Sequence, residues 1–160
     1  MRIGIVAVGR LKSGPEQDLV ARYVDRAKRV GGQIGLEIAD IREVPESQLS
    51  GVEGRRDAEA KALVRGLSDR SRIIALDERG RDTDSVAFAE MLAGWRDEGV
   101  GETLCVLGGP DGLDPDLRRR ADHVMAFGRA TWPHMLARIM LCEQIYRATT
   151  ILSGHPYHCA

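Results

Sequence analysis

The residues with the most chemical content fall in two short stretches. In residues 104–113, LCVLGGPDGL, four apolar residues run directly into Gly108, Gly109 and Pro110, with Gly112 just beyond. Consecutive glycines at the end of a strand let another group approach bare backbone, because no Cβ stands in the way. In open α/β sheets, ligands sit at the carboxyl ends of strands. Gly108, Gly109 and Gly112 therefore read either as the wall of a small-molecule site or as a tight turn and nothing more. The second stretch is the tail His155-Pro156-Tyr157-His158. Its imidazoles and phenol can exchange protons, donate hydrogen bonds and stack on bases; the alternative is a packed tail with incidental histidines.

Two further segments point toward the glycine stretch. Leu76-Asp77 ends one apolar run and residues 127–132 follow another. If these runs are neighbouring strands, the three loops make one pocket of backbone groups with few charged side chains. Such a pocket suits a flat, polar heterocycle such as adenine. The long apolar segment near the C-terminus carries Arg138, Glu143, Tyr146 and Arg147, and charges there are expected to be paired or functional. Glu143 and Arg147 have the i, i+4 spacing of an ordinary helix pair. Arg118, Arg119 and Arg120 cannot share one helix face, so they read as solvated surface or as phosphate contacts.

Several functions are excluded. There is no GxxxxGKS/T, no GxGxxG after a strand, no GxSxG and no HExxH, which removes P-loop NTPases, standard dinucleotide folds and the simplest hydrolases and metalloproteases. Cys105, Cys142 and Cys159 are odd in number and lack metal-ligand spacing. They predict reduced thiols in a cytoplasmic protein, with neither a metal site nor a disulfide framework. No apolar run approaches the ~20 residues of a membrane span, and the apolar start reads as a first strand rather than a signal peptide. Net charge is −1, so an RNA partner would have to be met by a local patch or by a surface assembled between subunits.

The elements that must position these residues alternate between apolar strands and helical patterns, the signature of an α/β layer fold. Strands are expected at residues 3–8, 33–41, 72–76, 104–107 and 123–127. Helices are expected at 15–29, 55–67, from a cap at 83–85 to Gly99, 116–121 and 134–152. Val20, Val24 and Ala27 share a face of the first helix, and Phe88, Met91, Leu92 and Trp95 a face of the third. Asp114-Pro115 is a strong helix start. The polar segment 42–53 is long for a compact domain, which makes it either a functional loop or a disordered connector. The last helix is apolar nearly all round, so the sheet is expected to cover one side and a second copy of the chain the other. The 160 residues suit one domain.

Taken together, IVAVGR, IIALDERG, LGGPDGL, ATWPH, LARIMLCEQIYRA and HPYH resemble the RlmH family of SPOUT-superfamily methyltransferases, in order and spacing, over essentially the whole chain. One departure is Gly154, where the family pattern has asparagine. The resemblance implies an α/β SPOUT-type sheet with helices on both faces and a deep C-terminal trefoil knot, spanning residues 71–160 of a single domain 1–160. It implies S-adenosylmethionine as cofactor, bound by Leu76, Gly108, Gly109, Phe127, Gly128, Arg129, Ala130, Thr131 and Trp132. It implies a homodimer in which each site is completed by the partner, and methylation of ring nitrogen 3 of a pseudouridine in 23S ribosomal RNA of the assembled ribosome. In that frame His155, Tyr157 and His158 position the base and help with its proton, Arg138 and Arg147 meet phosphate or the cofactor carboxylate, and a larger side chain at Gly108 blocks the cofactor while sparing the fold. A non-catalytic ribosome-associated factor of the same fold and a SPOUT methyltransferase acting on transfer RNA are the alternatives.

Overall fold

Strand β1 (Arg2–Val8) is apolar from Ile3 onward and buried there on both faces, as a parallel strand sandwiched between helices must be. The computed structural model describes residues 1–158. After β1 come α1 (Pro15–Gly31), a short 3-10 turn (Gly32–Ile34), β2 (Glu37–Val44) and α2 (Val52–Leu63). The second half supplies β3 (Arg72–Asp82), α3 (Ser85–Asp97), β4 (Glu102–Leu107), α4 (Pro115–Arg120), β5 (His123–Ala126) and α5 (His134–Ser153). All strand pairs are parallel, in the order β2-β1-β4-β3-β5.

The sheet divides the core into two layers, because successive side chains on a strand point to opposite faces. Ile3, Ile5, Ile74, Cys105 and Met125 meet α1, α3 and α5 through Val24, Phe88, Leu92, Leu141 and Ile145. Val6, Val8, Ile73, Ala75 and Val106 meet α2 and α4 through Leu63 and Leu117. Helices thus cover both faces, as expected.

Three boundaries differ from the sequence reading. Residues 33–36 are not strand: Gly31 packs its bare Cα face against Leu36, where a Cβ would lie 2.5 Å from the Leu36 carbonyl oxygen, and the chain turns there before β2 begins at Glu37. The 42–53 loop is shorter than expected, because β2 continues to Val44 in register with Val8 and α2 begins at Val52. The expectation of a second copy over α5 is also narrowed. α1 and α3 flank this helix and leave exposed apolar side chains only at its entrance: Trp132, Met135 and Leu136.

The third difference, the length of β3, positions the site. β3 does not stop at Leu76 but runs on to Asp82. Leu76 pairs with Met125, and so does Arg81, so residues 77–80 bulge out and the strand then rejoins β5. Gly80 crosses directly over the β5 backbone, and a Cβ there would sit 2.5 Å from the Met125 carbonyl carbon and 2.8 Å from the Ala126 nitrogen. The crossing therefore requires glycine for space, not for an unusual backbone angle. Gly80→Ala is expected to destabilise the protein by about 1–3 kcal/mol, the cost of overpacking a closed contact, read as a lowered urea midpoint; an unchanged midpoint would contradict the crossing.

Candidate active site

Because β3, β4 and β5 are adjacent and parallel, their carboxyl ends lie on one edge of the sheet, and the segments that leave them enclose a cavity of about 370 Å³. This is within the range of small-molecule sites. Leu76, Gly108, Gly109, Phe127, Gly128, Ala130, Thr131 and Trp132 all line it, while Arg129 stands exposed on the same loop outside the lining. Leu107, Leu113 and Met125 add an apolar floor. The lining is more charged than the sequence suggested: Arg56, Asp77, Glu78, Arg79 and Asp111 also face it.

Each wall is fixed by local interactions. In the 108–113 segment, the Gly112 N–H donates to the Gly109 carbonyl at 2.9 Å, closing a tight turn with Gly112 at φ +82°. Asp114 then caps α4 by accepting from the Asp116 and Leu117 N–H groups. The loop after β5 is tied to the extension of β3. The Gly128 N–H donates to Asp82 at 3.0 Å, and Thr131 reaches Glu78 at 3.4 Å. The Trp132 indole N–H donates to the Phe127 carbonyl at 2.9 Å. Asp82, Glu78 and Gly80 escaped the sequence reading because β3 was ended at Leu76.

The glycines do not act as expected. A Cβ on Gly108 would lie 2.8 Å from the Gly112 carbonyl carbon and the Leu113 nitrogen, and one on Gly109 would lie 2.8 Å from a Val8 methyl. Both missing side chains would run into the protein, not into the cavity. Gly108 is a close-packing glycine whose backbone borders the site, so a larger residue there disrupts the turn before it meets any ligand.

The arginines are occupied. Arg138 is almost wholly buried and lies outside the cavity lining. Its guanidinium donates to Glu43 at 2.7 Å and to the carbonyls of Val8 and Gly9 at 3.1 and 3.0 Å. Glu43 also accepts the Leu11 N–H at 2.9 Å. Arg138 thus ties α5 to the ends of β1 and β2, and the expectation that it meets substrate or cofactor is corrected on that ground. Arg118 pairs with Asp77 at 3.2 Å and Arg119 with Asp116, which leaves Arg120 exposed.

The tail folds back on the second half of α5. The Tyr157 hydroxyl donates to Glu143 at 3.0 Å, its ring packs on Tyr146 at 4.6 Å between centroids, and Arg147 lies 5.0 Å over its face. Glu143 also accepts from Arg147 and Gln144. Burial and the bond to Glu143 push the Tyr157 phenol well above its usual range, so it is a hydrogen-bond donor and not a proton acceptor. Arg147 holds Glu143 and approaches the His158 Nδ1 at 3.5 Å, which replaces the expected phosphate contact. His155 is exposed and accepts the Tyr157 N–H at Nδ1. Cys159 lies outside the described residues. The cavity touches α5 at His134 and Ala137, whereas the tail docks at Glu143 to Arg147, about 9–20 Å further along the helix axis at 1.5 Å per residue. One chain therefore does not bring its own tail to its own cavity.

Among the described residues no group of His, Cys, Asp or Glu is arranged to hold a metal ion, and no helix is long and apolar enough to cross a membrane. Comparisons agree with this architecture. The family model described as "Predicted SPOUT methyltransferase" matches residues 1–158. A relative from Rhizobium etli, named ribosomal RNA large subunit methyltransferase H, is 55% identical over 158 residues, covering 99% of each chain. One of the same name from Sinorhizobium medicae is 53% identical over the full 160 residues of both. The crystal structure of a probable methyltransferase from Bordetella pertussis Tohama I superposes with a TM-score of 0.50 at 14% identity, over 92% of this chain and 95% of that one, which bears on the fold alone.

Two outcomes follow from the buried groups. Arg138→Met leaves the Val8 and Gly9 carbonyls without this donor and Glu43 with only the Leu11 N–H, and is expected to cost about 1–3 kcal/mol in urea unfolding, the scale of buried polar groups left unpaired; an unchanged midpoint would show that the tie is not structural. Burial pushes the Cys105 and Cys142 thiols up to about 12, and since only the thiolate reacts, neither should be alkylated by iodoacetamide in folded protein at about pH 8. Modification of either, read by peptide mass spectrometry without unfolding, would contradict their burial.

Proposed function

The chain belongs to the SPOUT methyltransferase family, and from that premise we propose that it transfers a methyl group from S-adenosylmethionine to ring nitrogen 3 of a pseudouridine in 23S ribosomal RNA of the assembled ribosome. The observation that carries the reading is the cavity at the ends of β3, β4 and β5, in a chain whose near-identical-length relatives bear the ribosomal RNA methyltransferase name.

The residues fit the cofactor. An apolar floor of Leu76, Leu107, Leu113 and Met125 with Phe127 at the side suits a flat adenine, and the carboxylate of Glu78 with the cation Arg79 at the wall suits a charged amino-acid end. When bound, S-adenosylmethionine supplies an electrophilic methyl group on a sulfonium. The protein's part is to hold donor and acceptor in line, which can supply much of the barrier reduction, and to relieve the ring nitrogen of its proton, which contributes about 10²–10⁴-fold. Of the tail groups, the imidazoles of His155 and His158 are the proposed acceptors of that proton. Tyr157, held as a donor by Glu143, orients the segment that carries them.

The reading includes a homodimer with the tail working in the partner's cavity. Two features support it: the tail docks far from its own cavity, and the exposed Trp132, Met135 and Leu136 form an apolar patch beside the cavity mouth. A surface shared between two copies would also suit an RNA substrate for a chain of net charge −1. The reading extends to a trefoil knot in the C-terminal half. The passage of Gly80 across Met125 and Ala126, with the 127–133 loop tied back to Asp82 and Glu78, supports it as the kind of close chain crossing a knot needs. The work would be done where ribosomes are, in the cytoplasm.

The test is incubation of methyl-labelled S-adenosylmethionine with ribosomes, free ribosomal RNA and transfer RNA. Label is expected in the large-subunit RNA of intact ribosomes; label in transfer RNA, or none anywhere, would overturn the assignment. Deleting residues 153–160 is expected to leave cofactor affinity within about twofold and to lower transfer by at least about 100-fold, the lower end of a general-base contribution. Transfer at the normal rate would remove the tail from the mechanism.

A further inference from the structure

The turn that borders the cavity is not held by its own strand alone. Arg55 and Arg56, one turn into α2, reach across to it from the first half of the chain. The Arg55 Nε donates to the Asp111 carboxylate at 2.6 Å, and its Nη1 donates to the Leu49 carbonyl at 3.3 Å. The Arg56 Nε donates to the Asp111 carbonyl at 2.7 Å, with Nη2 on the same oxygen. Arg56 itself lines the cavity. One turn further along α2, the buried Glu59 accepts the Ser47 N–H at 2.9 Å, and its other oxygen lies 3.4 Å from where a Gly109 Cβ would stand. Two adjacent arginines thus take both the side chain and the main chain of Asp111, and the same helix turn fixes the loop 45–51. Side chains of Arg55 and Asp111 are each little more than a quarter exposed, and the Arg55 hydrogen bond holds the Asp111 carboxyl below its ordinary value.

We propose that Arg55 and Arg56 form a latch that fixes the 109–112 turn against α2 and thereby sets the affinity of the cavity for its cofactor. They are positioning residues. The turn closes on itself through a short antiparallel bridge, the Gly112 N–H donating to the Gly109 carbonyl, and glycine-rich backbone samples many conformations when released. Preorganised backbone binds a ligand more tightly because less ordering remains to be done on binding. The latch gives the 42–53 region a function: it is the mounting for the wall of the site. Arginine is required at position 56 because two N–H groups of one planar fork meet a single carbonyl, which an ammonium cannot reproduce.

The part of this inference that concerns affinity rests on the reading of the cavity as the S-adenosylmethionine site, so the experiment has two readouts. Amide hydrogen exchange across residues 104–113 is measured without ligand in wild-type protein, Arg55→Ala, Asp111→Asn, the double variant and Arg56→Lys. Titration calorimetry with S-adenosylmethionine follows on the same samples. The latch predicts exchange at 109–112 faster by about tenfold in each single variant at Arg55 or Asp111, no further increase in the double variant, and a smaller rise for Arg56→Lys, with β1 and β4 amides unchanged. It predicts cofactor affinity weaker by about five- to twentyfold in the same order. Unchanged exchange at 109–112 overturns the latch whatever the cavity binds, and faster exchange with wild-type affinity overturns its role in binding. Faster exchange in a series whose wild-type member binds no S-adenosylmethionine upholds the latch and overturns the cavity assignment instead. Should Arg55→Ala fail to fold, Asp111→Asn, which keeps the side chain's shape, carries both comparisons.

Discussion

The architecture depends on one backbone-on-backbone contact, the passage of Gly80 over Met125 and Ala126. It lets β3 overshoot Leu76, clear the end of β5 and rejoin it at Arg81 and Asp82. Without that overshoot, β5 would have no second hold on β3, and the loop that follows it would lack the Asp82 and Glu78 anchors that fold it over the cavity. The site is therefore a consequence of chain crossing rather than of a motif. Three ordinary strand ends become a pocket because the chain doubles back across one of them.

Arginine is the second organising element. The chain is nearly neutral overall, and its best-placed arginines are spent inside. Arg138 ties α5 to the ends of β1 and β2, Arg118 meets Asp77 beneath the cavity, and Arg55 and Arg56 hold the turn at Asp111. Each links segments far apart in sequence at the carboxyl edge of the sheet. Planar, multi-donor guanidinium groups suit this role because they satisfy carbonyl oxygens that strands and turns leave unpaired at their ends.

Much of this was legible in the sequence. Continuous apolar runs marked β1 and β4 as buried parallel strands, i, i+3, i+4 spacing marked α1 and α3, and Asp114-Pro115 marked α4. The cavity residues Leu76, Gly108 and most of 127–132 were recoverable because strand ends and glycines are local signals. What escaped depends on distance. The extension of β3 is polar, so nothing in DERGRD announces a strand, and only its pairing with β5 creates one. The roles of Gly108, Arg138 and Arg147 were misjudged because a sequence shows that a glycine or a charge is present, not which segment packs against it. The 33–36 error has the same source: Ile34 and Leu36 alternate as a strand would, but the close contact of Gly31 with Leu36 turns the chain there.

These elements serve one purpose: they hold a half-apolar cavity open beside an apolar patch, while the tail that carries the titratable imidazoles stands on the far half of α5. The function proposed for this protein turns on the cavity between β3, β4 and β5 holding S-adenosylmethionine. Crystals of the wild-type protein grown with saturating S-adenosylmethionine give the answer. Difference density is expected to fill the space bounded by Leu76, Gly109, Phe127 and Trp132. Density bound elsewhere, or an empty cavity at saturating cofactor, would contradict it.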